Sequence, residues 1–196
     1  RAYEIAAEFR KRGGPVILGG HHPTLLPQET SQHADAILIG EAEGIWPDVI
    51  NDPQRGRLQP IYRQPETLAL ANVRVDRSIF SGKKYLPITM VETTRGCPFA
   101  CNFCSVTAFF GRGFRHHPPE EVVAEVASLN KKFFLFVDDN IVADKEAAKA
   151  LFRALIPLKI RWISQASLTM TKDLELMRLM RESGCAGVLV GIESIN

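Results

Sequence analysis

The chain has 196 residues, 24 of them basic and 22 acidic, with a formal net charge of +2 and a 45% share of hydrophobic residues, so it can hold one medium domain or parts of two. So even a balance says little about partners, although a group of four basic residues amid it does not make the broad basic stripe of a nucleic-acid binder, and four cysteines are too few for a disulfide-dense scaffold. No apolar run approaches the roughly 18 to 20 residues needed to cross a bilayer, and the start lacks the basic-then-apolar layout of a signal peptide.

Residues 2–12 set Ile5, Phe9 and the alanines on one side and Glu4, Glu8, Arg10 and Lys11 elsewhere, which predicts an amphipathic helix stopped by Gly13-Gly14-Pro15. Val16-Ile17-Leu18, ending in Gly19-Gly20, reads as a short parallel strand buried on both faces and opening into a ligand loop. Residues 23–32 read as a loop and a short helix, Ala36-Ile37-Leu38-Ile39 as a second buried strand, and 43–51 as a helix. This alternation predicts part of a doubly wound, Rossmann-like α/β domain over residues 1–52. Over 53–87 the pattern dissolves among Pro53, Pro60, Pro65, Gly82 and Pro87, as expected of an inter-domain linker. Ile61, Tyr62, Leu68, Leu70, Ile79 and Phe80 would anchor it to the surface. The alternation then resumes over 88–196: strand 88–94, helix 119–130, strand 133–138, helix 144–156, strand 160–167, helix 172–183 and strand 186–192. Arg1 falls inside a helical pattern and Asn196 just beyond a strand, so further chain is expected at either end.

The most specific signal lies directly after the apolar, β-branched run 88–94. Cys97, Cys101 and Cys104 are spaced C-x-x-x-C-x-x-C, and Gly96 and Pro98 argue for a loop. Three thiolates so spaced can converge on one soft metal centre and leave one iron of a [4Fe-4S] cluster without a protein ligand. A Cys3His zinc site completed by His116 or His117 is the competing reading. Cys185 reads as a buried small hydrophobe. The basic group Arg112, Arg115, His116 and His117 reads as a solvated or phosphate-facing patch.

Functional residues of parallel α/β folds gather beyond the carboxyl ends of the strands. Asp138-Asp139-Asn140 follows Phe133–Val137, where two adjacent carboxylates and an amide call for a ligand or a cap. Alternation places Gln165 with Ser167, and Gly191 with Glu193, on common faces.

Thr94-Arg95-Gly96-Cys97-Pro98-Phe99-Ala100-Cys101-Asn102-Phe103-Cys104 resembles the cluster loop of the radical S-adenosylmethionine (SAM) superfamily, including the aromatic residue before the third cysteine. The resemblance implies that 88–196 forms the first four β-α units of a partial TIM-like barrel, with Cys97, Cys101 and Cys104 on the cluster. It also implies an open iron that chelates SAM, whose cleavage gives a 5′-deoxyadenosyl radical. SAM would meet Phe103 at its adenine, and Asp138, Asp139 and Asn140 at its amino group, where many members carry a Gly-Gly-Glu run. Gln165, Ser167 and Glu193 would complete the contacts.

Val16–Thr24 and Ala34–Glu43 together resemble the second half of the cobalamin-binding domain of class B members. Gly19, Gly20, His21, Gly40 and Glu41 would then lie on the cofactor side, without His21 or His22 ligating cobalt. The Asp-x-His-x-x-Gly segment of base-off binders does not occur in the chain. A nucleotide-binding Rossmann domain is the competitor for this half, although the chain has no G-x-G-x-x-G. In residues 105–111 and 136–140 the chain is similar to uncharacterised and hopanoid-associated members. What this implies is cobalamin-dependent methylation of an unactivated carbon in a lipid or secondary metabolite, with flavodoxin or ferredoxin as reductant, no nucleic-acid partner and no transmembrane segment, in the reducing cytoplasm that oxidation-sensitive thiolates favour. Non-methylating radical SAM chemistry, such as rearrangement or methylthiolation, and a non-enzymatic zinc module remain open.

Overall fold

The computed structural model describes residues 1–64, 67–85 and 88–194. Pro65, Pro87 and Asn196, used above as punctuation or end point, lie outside the described residues. The chain divides into two compact units, Arg1–Leu68 with Ala108–Phe110, and Ala69–Thr107 with Gly111–Asn196.

The first unit runs α1 (Ala2–Lys11), β1 (Ile17–Leu18), α2 (His21–Leu25), α3 (Pro27–Thr30), β2 (Ala36–Ile39), α4 (Trp46–Gln54) and β3 (Ile61–Arg63). Its three strands form a parallel sheet in the order β1-β2-β3. All four residues of β2 are buried, which is why its sequence is an unbroken apolar run instead of an alternating one. Ala36 and Leu38 pack with Val49 and Tyr62 on one face, and Ile37 and Ile39 pack with Ala34, Val16 and Leu18 on the other. The linker expected over 53–87 therefore yields a strand at its start. Tyr62 is buried, accepts from the Gln59 amide at 3.1 Å and donates to Asp52 Oδ2 at 3.4 Å. In α1, by contrast, Ala6 is buried while Ile5 and Phe9 are more than half exposed.

The second unit runs β4 (Thr89–Val91), β5 (Thr94–Gly96), α5 (Ser105–Phe110, whose last three residues cluster with the first unit), β6 (Phe114–His116), α6 (Pro119–Ser128), β7 (Phe133–Phe136), α7 (Lys145–Leu155), β8 (Arg161–Gln165), α8 (Leu174–Glu182) and β9 (Cys185–Leu189). The parallel sheet has the order β4-β7-β8-β9, and β5 pairs antiparallel with β6. Neighbours in this parallel sheet follow chain order without the reversal of a doubly wound sheet. Phe134, Phe136 and Trp162 project from one sheet face onto Phe152 and Leu155 of α7 and Leu176 and Leu179 of α8. Trp162 stacks on Phe152 at a centroid distance of 5.1 Å, and its indole N–H reaches Ser183. The helices over this face are started by carboxylates: Asp144 accepts from the Glu146 and Ala147 amides at 3.0 Å, and Asp173 accepts from Leu176 at 3.0 Å. Lys149, nearly buried in α7, reaches Asp173 at 3.0 Å and Glu175 at 3.2 Å, tying the two helices together. Cys185 opens β9 half-buried rather than in the core, and burial pushes its thiol pKa up.

The single strand expected over 88–94 is broken. It leaves the parallel sheet after Val91, and its continuation pairs with β6 as a separate ribbon, in register Thr94↔His116 and Gly96↔Phe114.

Candidate functional site

The break after Val91 is made by Asp138, two residues beyond the end of β7. Its side chain is fully buried, and Oδ1 accepts from the backbone amides of Thr93 at 2.7 Å and Thr94 at 2.6 Å while Oδ2 accepts from the Thr93 hydroxyl at 2.6 Å. Burial pushes this carboxyl up to about 6 against the opposing pull of the hydrogen bonds from Thr93 and Thr94. The next residue continues the grip: Asp139 Oδ2 accepts from the Gly96 amide at 3.1 Å. Then Asn140, 4% exposed, directs Nδ2 at the Cys97 sulfur at 4.0 Å and accepts from the Ser167 amide through Oδ1 at 3.2 Å. Three successive residues thus hold three successive steps of the chain entering the cysteine loop. Gly96, the last residue before Cys97, sits at φ +83°, a left-handed conformation open to glycine at little cost.

A second cluster braces the ribbon. Arg95 donates to both oxygens of Glu92 at 2.9 and 2.8 Å, and His117 Nε2 lies 3.5 Å from the same carboxylate. Burial raises the Glu92 pKa, yet His117 and Arg95 together outweigh it and hold the carboxyl at about 2. The His117 amide donates to Thr93 at 2.9 Å. The solvated basic patch expected at 112–117 is therefore corrected: His117 is buried on Glu92, while Arg112 and His116 are exposed. This turns His117 away from completing a zinc site.

None of the four cysteines is in a disulfide; within the loop Cys101 is exposed and Cys97 and Cys104 are half-buried. The Cys104 amide closes a turn on Cys101 at 3.1 Å, Cys104 leads into α5, and Thr107 Oγ1 donates to the Phe99 carbonyl at 2.9 Å. Phe103 is 69% exposed. Among the described residues no three His, Cys, Asp or Glu side chains are drawn around a single point in the manner of a metal ion's ligands. The donor set suits an iron–sulfur cluster: three soft thiols share one solvent-facing loop, a cubane takes each on a different iron, and a buried N–H is already aimed at one sulfur.

The remaining candidates fall at the carboxyl ends of the same parallel strands. Gln165 is exposed, and its carbonyl accepts from Ile141 at 3.0 Å. Ser167 pairs its hydroxyl with Thr169 at 2.7 Å. Glu193 is exposed at φ +59°, with its carboxylate folded back over Gly191. The structure joins Cys97, Asn140 and Ser167 by direct hydrogen bonds and places Gln165 and Glu193 on the same edge by topology. Asp138 stands apart, since both of its oxygens are spent inward. Glu92 and Thr93 were not singled out from the sequence as site residues, and His117 was read only as a zinc ligand or part of a basic patch; the opposite charges of Glu92 and Arg95 three residues apart are the one local signal of that cluster.

In the first unit, Gly19, Gly20 and His21 follow β1 and Gly40 and Glu41 follow β2, so adjacent parallel strands bring all five to one sheet edge. A Cβ on Gly19 would lie 3.3 Å from Leu38 Cβ, and Gly20 has φ +101°. The Gly40 amide donates to Thr24 Oγ1 at 2.9 Å. His21 is exposed and stacks at 4.1 Å on Phe109, which clusters with this unit.

The Radical SAM superfamily profile matches residues 91–196, more than half of the chain and the part that carries the cysteine loop and the parallel strands β7, β8 and β9. The chain belongs to the radical SAM superfamily. Curated relatives extend the similarity into the first unit. Bacteriochlorophyllide d C-8(2)-methyltransferase of Chlorobaculum tepidum is 33% identical, and bacteriochlorophyllide d C-12(1)-methyltransferase of the same organism 30% identical, each over 100% of this chain and 47% and 45% of the relative. The hopanoid C-2 methylase of Rhodopseudomonas palustris is 26% identical over 92% of this chain and 37% of its own length. The chain thus spans about half the length of the curated relatives it matches. Among solved structures, the radical SAM methyltransferase TsrM of Kitasatospora setae with tryptophan and a SAM analogue superposes with a TM-score of 0.82 over 100% of this chain and 44% of TsrM, at 18% identity. The same enzyme with cobalamin and a [4Fe-4S] cluster superposes with a TM-score of 0.80. The radical SAM fold is therefore common to both.

Proposed function

We propose that this radical SAM protein is a class B, cobalamin-dependent enzyme that methylates an unactivated carbon of a lipid or secondary metabolite. The observation that carries this reading is the match of two named methyltransferases across both units at 30% and 33% identity, the first unit included. In this reading 88–196 is the start of a TIM-like barrel and 1–52 the second half of a Rossmann-like cobalamin domain joined to it by the connector 53–87. The chain-order sheet β4-β7-β8-β9 supports the barrel, and the glycine-bearing edge of β1 and β2 supports the cofactor domain.

Cys97, Cys101 and Cys104 would hold the cluster. The bound cluster, SAM and cobalamin supply a carbon radical and a transferable methyl group; the chain supplies position and shelter. Asp139, Gln165, Ser167 and Glu193 offer acceptors at the barrel edge for the SAM ammonium and ribose, and Phe103 offers a ring for its adenine; Asn140, buried with its oxygen on the Ser167 amide, backs this edge from beneath. Gly19, Gly20, His21, Gly40 and Glu41 would face cobalamin. A small electron carrier such as flavodoxin or ferredoxin would reduce the cluster.

The test is anaerobic reconstitution with iron and sulfide, followed by assays for 5′-deoxyadenosine and for transfer of label from methyl-labelled SAM, with hopanoid and bacteriochlorophyllide acceptors as separate arms because relatives are named for each. Alanine at Cys97, Cys101 or Cys104 abolishes iron uptake, whereas Cys185→Ala leaves it unchanged; the reverse pattern refutes the ligand assignment. Corrin retained after titration with hydroxocobalamin and desalting supports the first unit's role. Retention of a nicotinamide or flavin nucleotide instead hands that unit to the Rossmann reading.

A further inference from the structure

The buried side chain of Asn140 is turned inward, away from any ligand's ammonium. Its oxygen is committed to the Ser167 amide at 3.2 Å, and its nitrogen points at the Cys97 sulfur at 4.0 Å, near the outer reach of an N–H···S bond. With 4% of the residue exposed, that N–H has given up water and needs an acceptor. A thiol is a poor one, but a thiolate carries charge and is a strong one. The contact is held from both sides: Asp139 fixes the Gly96 amide next to Cys97, and Ser167, at the end of β8, fixes the amide group of Asn140.

We propose that Asn140 is a positioning residue that sets the reduction potential of the cluster through an N–H···S hydrogen bond to Cys97. The inference rests on the ligand assignment proposed above. A donor on a ligating sulfur stabilises the reduced cluster, in which the sulfur carries more negative charge, and so raises the potential; hydrogen bonds to the sulfurs are among the controls of iron–sulfur potentials. The same side chain couples the cysteine loop to the end of β8, so a ligand that moves Ser167 would alter the donor on Cys97.

The experiment is a redox titration of the reconstituted intact protein with dithionite and mediator dyes, followed by electron paramagnetic resonance of the reduced cluster. Asn140→Asp keeps the size and the acceptor for Ser167 but replaces the donor with an acceptor, and it lowers the midpoint potential relative to wild type. Asn140→Thr, a second variant with a shorter hydroxyl donor, falls between the two. Equal potentials in wild type and Asn140→Asp, both cluster-loaded, overturn this inference alone. A variant that melts like wild type but binds no iron also overturns it, because the amide would then shape the loop instead of tuning the sulfur. A wild-type protein that takes up no iron overturns the ligand assignment as well, so the two failures are distinguishable.

Discussion

A single carboxyl, Asp138, decides where β4 ends, and it does so from 45 residues away in sequence. It takes two backbone amides and a hydroxyl into a site with no exposed surface. Its pKa in the fold is about 6 against an ordinary 3.8, so the folded state holds its proton more tightly than the unfolded chain does. The sign follows: the stability contributed by the neutral group is fully present below about 4 and is lost as pH rises through about 6. Asn at this position cannot ionise. Urea unfolding of the metal-free protein from pH 4 to pH 8 is expected to show the wild type losing up to about 3 kcal/mol relative to Asp138→Asn between pH 4 and 6, with a constant difference above. Parallel curves across the whole range would show that burial does not govern this carboxyl.

At the scale of elements, the core of the second unit is a sheet face covered by α7 and α8, and Phe152 is its best single probe. It is fully buried against Trp162. Phe152→Ala is expected to destabilise this unit by about 3–5 kcal/mol in urea. Leu174→Ala, at a residue 83% exposed, stays within about 0.5 kcal/mol. A comparable loss in both would mean that the packing described is not what holds α7 in place. These elements were legible because their signals are local. Continuous apolar runs mark β2 and β7, and helix-period spacing of apolar residues marks α7 and α8, to within a few residues. The elements that escaped depend on partners far along the chain. Ile61–Arg63 is only three residues long and follows Pro60, and it becomes a strand because β2 offers it an edge. The run 88–94 has the composition of one strand and is cut in two by Asp138. Helix α5 is too short for any period to show. The candidate site divides along the same line: the three cysteines are legible from spacing alone, while the direction each side chain of 138–140 takes is settled by the segment 93–97 lying across them.

At the scale of the whole molecule, the cysteine loop hangs from a closed frame. The β5–β6 ribbon joins residues 96 and 114, the Glu92–Arg95–His117 cluster locks its base, and Asp138, Asp139 and Asn140 grip the entering strand. Each of these contacts is made between protein groups alone. Stripping the cluster anaerobically with a chelator and an oxidant is therefore expected to leave the far-ultraviolet circular dichroism unchanged and the thermal midpoint within a few degrees of the loaded protein, unlike small zinc domains that unfold without their metal. A cooperative collapse on chelation would show that the metal builds the frame. The ribbon also sets how the cluster arrives. Bringing the two ends of a flexible segment together costs entropy that grows with its length, and pairing of 94–96 with 114–116 meets that cost during folding of the polypeptide. Loading then asks only the residues between the paired strands to draw the thiols together, so its rate is expected to be independent of the refolding rate of the chain.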